Sequence, residues 1–173
     1  MHIIVSLLVA LGGAFWAFHY FVNAAHEGRS AVNDMRGFIR SGKWSKKVGQ
    51  RMIEQVTDPR ESAAILLYQM AAYDGAVTER QQAAIVAEMR KAFAADEETA
   101  QGLYAFARVA VGQVNDAGNS LRKVLAPIAQ TCTDAERESF AAMLEKIGEV
   151  ESPMTDVQRR LVAEARRILF PRT

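Results

Sequence analysis

The sequence predicts an all-α protein: one N-terminal transmembrane helix, then a helical bundle built from two similar hairpins. Three observations carry this. Apolar residues recur at helical spacing from residue 59 to residue 169. Helix starts are written out at Asp58, Thr78, Thr133 and Thr155, each followed three positions later by Glu61, Gln81, Glu136 or Gln158. Ahead of them, Ile3 to Val22 is a run of 20 residues without a formal charge. The 173 residues contain only four prolines, and helix formers such as Ala, Glu, Arg and Gln run throughout, which argues against an all-β chain.

Composition narrows the function classes. Half of the chain is apolar and a quarter charged, so it is neither disordered nor collagen-like. A net charge of +1 gives no overall field that would draw nucleic acid. Cys132 has no second cysteine to pair with, which excludes an intramolecular disulfide and a cysteine zinc cluster.

As a helix, residues 3–22 would cover roughly 30 Å, the thickness of a hydrocarbon core. Trp16, His19 and Tyr20 sit toward its end, where amphipathic rings suit the membrane–water boundary. A cleaved signal peptide, with Val22-Asn23-Ala24 as a loose cleavage site and a secreted domain as the result, is the competing reading. The length of the run and the absence of Lys or Arg before it favour a retained anchor. Arg29, Arg36, Arg40, Lys43, Lys46, Lys47 and Arg51 follow the run, so the N-terminus is expected outside and the remainder in the cytoplasm. The same basic residues could also touch anionic headgroups. Ala10, Gly13, Ala14 and Ala17 form a small-residue stripe through which two spans could pair as a homodimer.

Residues 23–57 read as a basic juxtamembrane connector, with Val32, Met35, Phe38 and Ile39, then Val48, Met52, Ile53 and Val56, at helical spacing. The helical domain is expected over 58–170. Its first helix starts with Asp58 as N-cap, Pro59 at N1 and Glu61 closing a capping box, and runs to about Tyr73. Asp74-Gly75 makes a tight turn in which Gly75 takes positive φ. Thr78 and Gln81 cap the next helix, Glu79 to about Phe93, with Ala83, Val86, Met89, Ala92 and Phe93 inward. Asp96-Glu97-Glu98 opens a third helix whose inner face is Leu103, Phe106, Ala107, Ala110 and Val114, before turn-like residues 115–119. A fourth carries Leu121, Val124, Leu125 and Ile128, and Pro127 is expected to kink or shorten it. Thr133 opens a fifth with Phe140, Met143, Leu144 and Ile147 inward and Gly148 as its stop. After a loop over 149–154, Thr155 opens a last helix carrying Val157, Leu161, Ala165, Ile168 and Leu169, which stops at Pro171. Ile85-Val86-Ala87-Glu88-Met89 resembles Leu161-Val162-Ala163-Glu164-Ala165, a faint internal repeat.

The stretch Ala71-Ala72-Tyr73-Asp74-Gly75-Ala76-Val77-Thr78-Glu79 resembles the tellurite-resistance TerB-like family. That family includes the N-terminal domain of a membrane-anchored DnaJ-type co-chaperone. The likeness follows helix order over roughly 59–170. It implies an all-α domain, a bacterial inner-membrane setting, a role in envelope or tellurite and stress physiology, and an acidic surface able to take a divalent cation. Of the family's motif, Asp74 and Glu79 carry over. Where many members repeat Asp-Gly in the second half, this chain reads Gly148-Glu149-Val150-Glu151. A J-domain's His-Pro-Asp is absent: His2, His19 and His26 are each followed by something other than proline.

Two function classes follow. The first is a non-enzymatic module that binds a protein partner. The second is a divalent-cation sensor or metal-dependent enzyme using the carboxylates near Asp74, with Glu79 and Glu88 around the first hairpin and Glu149, Glu151 and Asp156 around the second. Hard cations need several converging oxygens, whereas Asp74 closing a turn and Glu79 facing a helix dipole explain both residues without a metal. No histidine falls within 58–170, no glycine-rich phosphate loop is present, and Cys132 has no histidine near it in sequence, so it reads as a structural thiol.

Overall fold

The computed structural model describes residues 52–112 and 120–171. The anchor expected over 3–22, its small-residue stripe, most of the basic connector, Val114 and the turn at 115–119 lie outside the described residues. Among the described residues every regular element is a helix, and no helix is long and apolar enough to cross a membrane.

One helical turn at 52–55 leads into six helices: α1 (Pro59–Ala72), α2 (Glu79–Phe93), α3 (Glu97–Gly112), α4 (Leu121–Thr131), α5 (Asp134–Gly148) and α6 (Asp156–Leu169). The starts are where capping chemistry places them. Thr78, Thr133 and Thr155 each accept from the N3 amide, and Gln81, Glu136 and Gln158 reach back to the cap amide, closing three boxes. Asp96 Oδ1 accepts from Thr99 N at 2.8 Å and caps α3.

The first start differs from its expectation. Asp58 caps α1, but its carboxylate accepts from Arg60 N at 2.8 Å and is held by the Arg60 guanidinium at 2.7 Å, so no box with Glu61 forms. The Asp58 carboxylate is spent on the N2 amide and the Arg60 guanidinium, and not on the N3 amide that a capping box uses.

α1 is the centre of the bundle. It packs against α2, α3, α4 and α5, and it is buried nearly all round: Ala63 to Leu67, Met70 and Ala71 have almost no exposed surface. A helix apolar on all faces belongs inside, and each large side chain buried there stabilises by about 1.5–3 kcal/mol. α6 lies at the edge against α4 and α5, and buries only one stripe: Gln158, Leu161, Val162, Ala165 and Leu169. The core also takes in Ile53 and Val56, ahead of residue 58.

Two inner-face expectations, at Val157 and Ala83, and the stop expected at Gly148 are corrected. Val157 is 45% exposed, because Gln158 takes the inward position at that turn of α6. Ala83 is exposed, because Ile85 and Val86 carry the buried stripe of α2. The Pro127 expected to kink or shorten its helix is buried within α4, which continues past it to Thr131, whose hydroxyl donates to Pro127 O at 2.7 Å. Gly148 is the last residue of α5 and not a left-handed stop; the cap, Glu149, has φ −102°. Glycine is needed there for room: a Cβ would lie 2.8 Å from Met154 Cγ and 3.2 Å from Met70 Sδ.

Candidate functional site

The α1–α2 turn and the α5–α6 loop meet at one end of the bundle. Gly75 makes the first turn with φ +117°, a conformation that strains any residue with a Cβ. Its amide donates to Ala72 O at 3.2 Å, and Asp74 N donates to Ala71 O at 3.3 Å. Asp74 is thereby held at the surface with its carboxylate turned to the other hairpin.

Two side-chain bonds join the loops, one in each direction. Gln158, fully buried at the start of α6, donates from Nε2 to Met70 O and to Asp74 Oδ2, both at 3.0 Å. Thr78, the cap of α2, donates from Oγ1 to Glu151 Oε1 at 2.6 Å. Gln158 thus closes its own capping box through Oε1 and spends its amide nitrogen on the first hairpin. Burying an amide this completely is tolerable because its donors and acceptor are all used.

The rim is acidic. Asp74, Glu79, Glu149, Glu151 and Asp156 are all exposed, while Arg80, Arg159 and Arg160 are the basic residues within 73–80 and 149–160. Arg80 lies 3.9 Å from Glu151, a loose surface pair, and Arg159 hydrogen-bonds the Asp156 carboxylate and Met154 O. That hydrogen bond and the Arg159 charge hold Asp156 below the usual carboxylate range.

The structure brings Asp74 to Gln158 and Thr78 to Glu151, but does not assemble Asp74, Glu79 and Glu88 into a ligand set. Glu88 is taken by an ion pair with Lys146 of α5. Among the described residues no three His, Cys, Asp or Glu side chains converge in a way that could hold a metal ion. The cross-loop role of Gln158 and the Thr78–Glu151 bond are invisible in the sequence. The only signal is that Thr-x-x-Gln occurs at both starts, with glutamine where glutamate would have left no amide to donate.

Elsewhere, an apolar cleft of about 30 Å³ lies between the start of α1 and the ends of α2 and α4, lined by Pro59, Phe93, Ile128, Phe140 and Met143. Cys132 opens onto it half-buried, and burial pushes its thiol above the ordinary value, the opposite of an activated nucleophile. Glu61 on α1 is a half-buried carboxyl pushed up to about 7, by burial first and then by the Asp58 carboxylate, with Arg60 opposing.

Comparison with family models, with curated proteins and with solved structures gave no match.

Proposed function

We propose that this chain is a membrane-anchored interaction module of the TerB-like type. Its helical domain lies on the cytoplasmic side of a bacterial inner membrane and serves envelope or tellurite and stress physiology by holding a protein partner. The observation that carries the reading is the paired-loop end. Five exposed carboxylates stand there against three arginines, on loops pinned by the buried Gln158 and by capped helix starts. Such a surface is firm, and its charge suits a partner that presents Lys or Arg. The sequence resemblance around Asp74-Gly75 and the uncharged run at 3–22 supply the family and the address.

The test is crosslinking of the full-length protein in native membranes. A single recurring partner is expected, lost when Asp74 and Glu151 are both changed to Lys and kept when Glu98, at the start of α3, is changed instead. Capture indifferent to the loop charges, or none at all, overturns the reading. Calorimetric binding of Mg²⁺, Ca²⁺ or Mn²⁺ that disappears in Asp74→Asn and Glu79→Gln would put a cation sensor in its place.

A further inference from the structure

The two loops are bonded reciprocally, and this has a consequence for how they move. Each loop supplies one acceptor carboxylate and one donor from its capping box. Asp74 of the first accepts from Gln158 of the second, and Glu151 of the second accepts from Thr78 of the first. The donors belong to the capping boxes of α2 and α6, Thr78 as the N-cap and Gln158 at N3, so each cross-loop bond is anchored at a helix start. Glycine at 148 draws the loops in further, letting Met154 rest against the end of α5 beside Met70 of α1.

We infer that the α1–α2 turn and the α5–α6 loop form one latch, closed by the Asp74–Gln158 and Glu151–Thr78 bonds, that opens as a single cooperative unit. Segments whose bonded residues lie 73 and 84 positions apart in the chain share one opening equilibrium, so whatever holds either loop shut holds both. The coupling belongs to the protein without any partner. Its measurement therefore stands apart from the crosslinking experiment above, and either can fail alone.

Native-state hydrogen exchange on the full-length protein reads it directly. The reporters are Gly75 N, bonded to Ala72 O, in the first loop and Val150 N, bonded to Ile147 O, in the second. Asp74→Ala should speed exchange at Val150, and Glu151→Ala should speed it at Gly75, each about 5- to 10-fold, the exchange equivalent of one net hydrogen bond. Glu151→Gln, which keeps an acceptor oxygen, should leave Gly75 near its wild-type rate. Thr133→Val removes a cap of the same kind whose box makes no cross-loop bond, and should leave both reporters unchanged. Acceleration confined to the substituted loop overturns the latch. So does an equal response to Thr133→Val, which would mean that the reporters follow global opening.

Discussion

In the α1–α2 hairpin the chain leaves Ala72 and re-enters a helix at Glu79 through a turn that Gly75 makes with φ +117° and with open space around it. In the α5–α6 hairpin it leaves Gly148, passes Pro153 and re-enters at Asp156, with its glycine in a helix and pressed against Met154 and Met70. Both end on Thr-x-x-Gln. One glycine is chosen for backbone freedom and the other for lack of volume. The two glutamines also differ: both are buried, but Gln158 bonds across to Met70 O and Asp74. The same local signal can therefore reach the other loop through its threonine, as Thr78 does, or through its glutamine, as Gln158 does.

The largest test of that difference is Gln158→Ala. It removes a buried side chain and leaves Met70 O without this donor, so denaturant melts should show a loss of about 2–3 kcal/mol. Gln81→Ala should cost about 1 kcal/mol, the value of a capping box; equal losses would erase the distinction. Next, Gly148→Ala should destabilise by about 2 kcal/mol through overpacking, and shortening Met154 to Ala in the same chain should recover part of it. Gly75→Val should cost about 1–2 kcal/mol from backbone strain alone, since its Cβ meets nothing within 4 Å, and no change at a second site should relieve it.

The smallest effect depends on pH and concerns Glu61, at N3 like Gln81, Glu136 and Gln158 but outside any box. Its carboxyl is raised from 4.5 to about 7 in the folded protein, so its contribution is fully present below pH 4.5 and is lost as pH rises through about 7. Glu61→Gln does not titrate. It should match wild type at pH 4 and exceed it at pH 8 by roughly 1 kcal/mol, after allowance for partial exposure. A difference that stays flat across this range would mean that Glu61 is not held in a desolvating position.

Much of the fold was legible. Thr78, Thr133 and Thr155 announce their helices because a cap acts within four residues, and the positive φ of Gly75 follows from a local Asp-Gly turn. The buried stripes followed helical spacing except at Val157, displaced by the inward Gln158, and at Ala83, where Ile85 and Val86 carry the stripe. The end of α2 was not legible as a left-handed cap, because Ala94 takes φ 48° where glycine would have been the signal. The paired-loop site was half legible: Asp74, Glu79 and Gly75 stand out in the chain, while Glu151 and Gln158 gain their roles from residues more than 70 positions away.

Helix starts, the Gly75 turn and the apolar character of α1 are set by interactions among near neighbours, and these the sequence contains in full. Which loop faces which is set by how α1 and α5 pack, as are the donor that reaches Asp74 and the closeness of Gly148 to Met70. Those depend on contacts between segments far apart in the chain, where no local pattern specifies the partner and only the closed bundle brings them within bonding distance.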